Sequence, residues 1–182
     1  MVAGIVVVIV VLILVWGLGA YNSLIRLRLK CDESFSTMDV YLKKRFDLIP
    51  NLVATVKGYA KHEAETLEKV IAARNSGAST TPEQAIEDDN KISGALRQIF
   101  ALSESYPDLK ANTNFMQLME QLKAVEEDIA NSRKYYNAVV KEYNIAIMVV
   151  PKNIIANIFH FEKRNMFQVE AEEERKNVKV EF

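Results

Sequence analysis

The sequence predicts an all-α protein. Its N-terminal transmembrane helix continues into a cytoplasmic antiparallel bundle of long helices, followed by a short fourth segment and an extended C-terminal tail. Three observations predict this. Residues 2–20 carry no charge and are almost wholly apolar. The 182 residues contain only 6 Gly and 4 Pro, so helix breakers are scarce. Beyond the apolar run, hydrophobic residues recur at three- and four-residue spacing over most of the chain.

The apolar run VAGIVVVIVVLILVWGLGA is dominated by Val, Ile and Leu. As a helix, about 19 residues span roughly 28 Å, close to the ~30 Å hydrocarbon core of a bilayer. Trp16 and Tyr21 stand at one end, where amphipathic rings favour the headgroup level. Met1-Val2-Ala3 has none of the basic residues that open a signal peptide. Leu29 and Lys30 before Cys31 do not suit a lipoprotein signal. A retained single-pass anchor over residues 1–21 is therefore expected. Arg26, Arg28, Lys30, Lys43, Lys44 and Arg45 all follow the span and no Lys or Arg precedes it. The positive-inside rule then puts the N-terminus outside the cell membrane and the main domain in the cytoplasm.

Some 160 residues remain beyond the anchor, enough for one domain. A net charge of −1 gives no global field for nucleic acid. The juxtamembrane basic residues are mixed with Asp32, Glu33 and Asp39, so contact with anionic lipid is expected to be modest. One cysteine excludes an intrachain disulfide and agrees with a reducing compartment.

In the first cytoplasmic helix, Cys31, Phe35, Met38, Leu42, Ile49, Leu52, Val56 and Tyr59 form an apolar seam, with Arg45 the exception on it. Pro50 predicts a kink or break near residues 48–51. The seam then drifts to Val53, Ala60, Leu67 and Val70, and the helix is expected to end near Arg74, with Gly77 as its cap. Thr81-Pro82-Glu83-Gln84 starts a second helix: Thr81 can cap, Pro82 fits the first turn, and Gln84 can close a capping box. Ile86, Ile92, Leu96, Ile99, Phe100 and Leu102 are its apolar positions, and Ser105-Tyr106-Pro107-Asp108 stops it. The third helix has the cleanest heptad pattern, from Phe115 through Leu118, Leu122, Val125, Ile129, Ser132, Tyr136, Val139, Tyr143 and Ala146 to Val150. Pro151 ends or kinks it, and Ile154, Ile155, Ile158, Phe159 and Phe161 make a short apolar segment. The bundle is bounded at residues 22–161. Residues 162–182 form a charged tail, with a charged run at 170–176 and an alternating Val178-Lys179-Val180-Glu181-Phe182 end.

Residues 39–63, DVYLKKRFDLIPNLVATVKGYAKHE, resemble the LemA family closely. The resemblance extends to Tyr21-Asn22 after the anchor and to the Glu104-x-Tyr106-Pro107-x-Leu109-Lys110-Ala111 link. It extends also to Arg133-x-Tyr135-Tyr136-Asn137, Tyr143-Asn144 and Pro151-x-Asn153, so it covers almost the whole chain. It implies a membrane-anchored, mostly cytoplasmic bacterial helical bundle. It implies no enzymatic reaction, and it points to relatives in specialised bacterial membranes, including magnetosomes.

The residues assemble no recognisable catalytic set. A zinc protease needs a second His one turn after His-Glu, and Thr66 stands there. A di-iron bundle needs Glu-x-x-His twice; Tyr59 precedes His62 and Asn157 precedes His160 at that spacing. A structural or solvated His62 is the stronger reading, and no metal or cofactor is expected. Cys31 on the apolar seam reads as a packed thiol. Lys43-Lys44-Arg45-x-Asp47 reads as a polar face with a salt bridge or lipid contact as its alternative. Tyr136-Asn137 and Tyr143-Asn144, one heptad apart, read as core rings with a polar layer that can set register.

The functional expectation is a non-enzymatic membrane protein that contacts lipid, self-associates as a homo-oligomer and organises membrane or membrane proteins. An adaptor or regulator of a membrane protease or envelope stress system is the alternative. The expected self-association surface is the seam Leu24, Leu27, Cys31, Phe35 and Met38. Near the membrane only the first helix has to be present, so a second copy would be needed to cover it.

Overall fold

The computed structural model describes residues 1–76 and 81–167. Its regular structure is helical: α1 (Val2–Tyr59), α2 (Ala64–Ser76), α3 (Pro82–Glu104), α4 (Pro107–Lys110), α5 (Thr113–Met148) and α6 (Lys152–Ile158). The expected Gly77 cap, the charged run at 170–176 and the alternating end at 178–182 lie outside the described residues.

At ~1.5 Å per residue, the 58 residues of α1 make a rod of roughly 87 Å. Its first part is bare: the apolar side chains from Val2 to Val15 are all exposed. Water would oppose such a surface and hydrocarbon favours it, and this helix is long and apolar enough to cross a membrane. Of the kink or break expected near residues 48–51, the break does not occur: α1 runs on through Pro50. Pro50 is exposed, while Ile49 and Leu52 on the inner side are buried to 1% and 0% exposure. Tertiary packing on that side holds the helix across the lost hydrogen bond.

The interruption comes instead at residues 60–63. Ala60 closes α1 through its N–H to the Val56 carbonyl, and the Glu63 N–H turns back to the Ala60 carbonyl at 3.2 Å. The continuous helix expected up to Arg74 is thus two helices folded as a hairpin. The Arg74 guanidinium lies 4.9 Å from the Phe46 ring centroid, which brings the end of α2 far back along α1. Ala60, Leu67 and Val70 are apolar in either arrangement, so periodicity alone did not separate them.

The other expected boundaries are met closely. Thr81 caps α3 with its side chain accepting from the Gln84 N–H, and Pro82 takes the first turn. Asn112 caps α5 by accepting from the Phe115 N–H at 2.9 Å. Helix α5 then runs antiparallel to α1 over its whole length. The pairings step in order from Asn112 with Tyr59, through Glu126 with Arg45 and Tyr136 with Phe35, to Glu142 with Lys30. After Pro151, α6 returns against α1, where Lys152 Nζ donates to Ser23 Oγ at 3.0 Å.

Two cores result. The distal core joins α1, α2, α3, α4 and α5 through Ile49, Leu52, Val56, Val70, Ile92, Ile99, Leu109 and Leu122. The membrane-proximal core is built from Leu24, Cys31 and Met38 of α1, Tyr136, Val140, Tyr143 and Ile147 of α5, Ala156 of α6, and Phe167 beyond it. Leu24, Cys31 and Met38 have 0% exposure, and Leu27 and Phe35 pack on the same core. Helix α5 returns to the membrane end, so Leu24, Cys31 and Met38 find cover within one chain, and Leu27 and Phe35 pack beside them half-buried.

Burying Met38 contributes roughly 1.5–3 kcal/mol from area alone. Met38→Ala is expected to lower stability by about 2–5 kcal/mol in chemical denaturation, through the cavity it leaves. Phe35→Asp with Met38→Asp is expected to lose the folded bundle outright by circular dichroism. Retained helix content in that double variant would contradict the buried seam.

Candidate functional site

Beyond α6, residues 161–167 form no regular secondary structure and carry backbone groups with no ladder of their own. The two Tyr-Asn pairs of α5 satisfy them. Asn144 Oδ1 accepts from the Arg164 N–H at 2.9 Å, and its Nδ2 donates to the Arg164 carbonyl at 2.8 Å. Asn137 does the same for Phe167, at 2.8 and 2.9 Å. The hydroxyls of Tyr143 and Tyr136 donate to the carbonyls of Glu162 and Asn165, at 3.0 and 3.2 Å. One residue pair is repeated after seven positions of helix and meets the chain again after three positions of the segment beyond α6. The lengths agree: seven helical residues rise roughly 10.5 Å and three extended residues roughly 9–10 Å. A pleated strand would turn residues 164 and 167 to opposite faces. A threefold extended chain, as in polyproline II, returns them to the same one.

Aromatic contacts close the same wall. The Tyr136 ring meets Phe167 edge-on at 5.5 Å and Phe35 at 6.1 Å. Arg164 reaches across to the Asp32 carboxylate at 2.5 Å and lies over the Tyr143 ring. Burial pushes the Tyr143 hydroxyl and the Cys31 thiol above their ordinary pKa values. Cys31 is therefore a protonated, packed thiol, as expected. Residues 162–167, assigned to the tail by sequence, pack as a third wall of the proximal core.

Where the two cores meet, Arg45 is buried to 1% exposure. Its guanidinium pairs with Asp89 and donates to Glu126 Oε2 at 2.9 Å and Ser93 Oγ at 3.0 Å. Asp89, 2% exposed, also pairs with Arg133. Burial pulls the Arg45 pKa below its usual value, against the pull of Glu126. Burial and then the neighbouring Arg45 charge bring Arg133 down to about 10. The sequence marked Arg45 as the exception on its seam. It could not supply Asp89, 44 positions away in the chain. Lys43 instead pairs at the surface with Asp47, one turn on.

Beside this cluster, α3 and α5 stand apart and leave a groove of about 1000 Å3. Leu96, Phe100, Met119 and Leu122 give it apolar walls, and Arg97, Lys123, Glu126 and Arg133 give it charged ones. Asn90 Nδ2 and Arg133 Nε, on the same lining residues, are buried without a hydrogen-bond partner among the described residues. The groove thus offers apolar area beside charged side chains. His62 and His160 are exposed at opposite ends of the bundle, and no group of His, Cys, Asp or Glu able to hold a metal occurs among the described residues.

Comparison with known proteins fits this architecture. A family model described as "LemA family" matches residues 34–182, most of the chain. The chain belongs to the LemA family. A curated LemA protein of Metamycoplasma hominis is 27% identical over 165 residues, covering 88% of this chain and 74% of its own length. Magnetosome proteins MamQ 1 and MamQ 2 of Paramagnetospirillum magneticum are each 26% identical over 175 residues, covering 81% of this chain. The chain spans 64% of the length of each of those two. The LemA match includes the Arg45 cluster and both Tyr-Asn pairs. The protein is a membrane-associated helical protein of this family.

Asn137→Ala and Asn144→Ala are each expected to cost about 1–3 kcal/mol, because each strands a backbone N–H and C=O in a partly buried wall. Hydrogen exchange at Arg164 and Phe167 should accelerate while helix content holds; unchanged exchange would contradict the clasp. Arg45→Ala should cost about 3–5 kcal/mol, since it leaves the buried Asp89 short of a partner. Arg45→Met with Asp89→Asn should recover part of that loss in denaturant unfolding.

Proposed function

We propose that the protein is a non-enzymatic, membrane-anchored scaffold that self-associates and organises membrane or membrane proteins. The observation that carries this reading is the continuity of α1 from the apolar span to the far end of the bundle. With no linker, the bundle is held at a set height. Arg45, 25 positions beyond Ala20, stands roughly 38 Å along the rod. The groove beside it therefore sweeps a plane parallel to the membrane. Partners anchored in the same membrane meet it at high effective concentration, so modest contacts suffice. Relatives named as magnetosome proteins agree with a role in a specialised membrane.

The self-contacting surface is the α3–α5 groove rather than the seam at 24–38, which is covered. The groove also supports the second reading, an adaptor or regulator of a membrane protease or envelope stress system, because its apolar walls and charged rim suit a helix of another protein. The N-terminus lies outside the cell membrane and the bundle in the cytoplasm, as the basic flank at Arg26, Arg28 and Lys30 favours.

Sedimentation of the detergent-extracted full chain tests self-association. We expect an oligomer that Met119→Asp with Lys123→Glu disperses without loss of helix. A monomeric wild type sinks the scaffold reading, and a protease recovered in stoichiometric amount from membranes supports the second. A tag after Phe182 should survive protease added to intact cells; its digestion would reverse the orientation.

A further inference from the structure

We infer that the α5–α6 corner is a second membrane contact, a short interfacial helix whose apolar face enters the boundary between headgroups and acyl chains. This rests on α1 being the anchor. The depth of α6 follows from its contacts with α1. Ile155 Cδ1 lies 3.7 Å from where a Cβ on Gly17 would stand. Gly17 is inside the apolar span, roughly 4.5 Å deeper than Ala20. Phe159 packs on Tyr21 with ring centroids 4.7 Å apart, and Lys152 Nζ reaches Ser23 Oγ. Helix α6 therefore straddles the level at which the anchor leaves the hydrocarbon.

Its two faces differ. Ala156 packs against α1 at 1% exposure, and Ile155 joins the same core. The outward residues are apolar yet uncovered: Val150 is 71% exposed, Ile154 53%, Ile158 61% and Phe159 54%. Ile154 and Ile158 lie one turn apart on one face of α6. This patch continues directly into the bare side chains of the anchor, so one solvent covers both. That solvent is lipid. Arg28, over the Phe161 ring at 5.9 Å, and Lys152 mark the polar edge, where headgroup phosphates lie.

The consequence is a bundle tethered at two points, α1 and the corner, which fixes its tilt on the membrane. Tryptophan fluorescence of the full chain in vesicles tests it. Trp16 is the single native tryptophan, and lipids brominated near the top of the acyl chain should quench it. In a Trp16→Phe background, Phe159→Trp and, separately, Ile158→Trp should emit blue-shifted and lose roughly half their intensity to the same lipids, as interfacial rings do. Val40→Trp, exposed and roughly 30 Å beyond Ala20, should not. Quenching of Trp16 without quenching at both 158 and 159 overturns the second contact and leaves the anchor standing. Blue-shifted emission at 158 and 159 that bromine does not reach assigns the patch to a second copy and also overturns it. An unquenched Trp16 overturns the anchor and the inference together.

Discussion

A helix that leaves a bilayer with an apolar seam meets water at once, and the seam has to be covered from its first turn. That constraint sets the plan of this molecule. Helix α5 has 36 residues, as many as α1 from Leu24 to Tyr59, and runs antiparallel along that same stretch. Equal length and equal rise let the partners step together from Tyr59–Asn112 to Lys30–Glu142. Helices α2, α3 and α4 occupy only the distal half. Near the membrane the pair α1–α5 stands with α6 and an extended segment.

Two helices leave much of each seam open, and a third wall is needed. The chain supplies one from residues 162–167, an extended stretch rather than a helix. Such a wall brings its own backbone donors and acceptors, which are costly to bury unpaired. The Asn amide presents a donor and an acceptor together on a short side chain, so one Asn can satisfy the N–H and C=O of one residue. The heptad repeat of Tyr-Asn places that clasp at the spacing an extended chain returns to. Tyr adds a ring for the core and a hydroxyl for the carbonyl two residues before the one its Asn clasps. The polar layer expected from sequence is real, and its partner is main chain.

That explains what was legible. Thr81-Pro82, Tyr106-Pro107 and Pro151 marked boundaries because capping and proline chemistry are local. The third-helix heptad was readable because its burial is continuous. At Pro50 the sequence left a kink and a break open; the proline's cost is local, while the packing of Ile49 and Leu52 that keeps the helix continuous there is not. The hairpin at 60–63 was missed because both alternatives bury Ala60 and Leu67. The cover that α5 and α6 give Leu24, Cys31 and Met38 comes from far along the chain, so it left no mark beside the seam in the sequence. Arg45 stood out as an anomaly, but the backbone and carboxylates that answer an anomaly leave no mark beside it in the sequence.

Arg45 sits where the helix count changes. On its membrane side, Met38 belongs to the proximal core; on the other, Ile49 belongs to the distal one. At this level α3 arrives through Asp89 and Ser93 and α5 passes with Glu126 and Arg133. Apolar contacts alone would tolerate a slip of α3 by a turn, since Ile92, Leu96 and Ile99 repeat at helical spacing. A buried guanidinium does not tolerate it. Moving α3 by one turn takes Asp89 from Arg45 and Arg133 and leaves charges buried without partners, a loss of several kcal/mol. The ionic cluster therefore contributes register more than net stability. Register is what shapes the groove, because the distance between α3 and α5 is set by the residues that bridge them through Arg45. A cluster at the junction of the cores thus ties the membrane-proximal half, fixed by α1 and α5, to the shape of the α3–α5 groove.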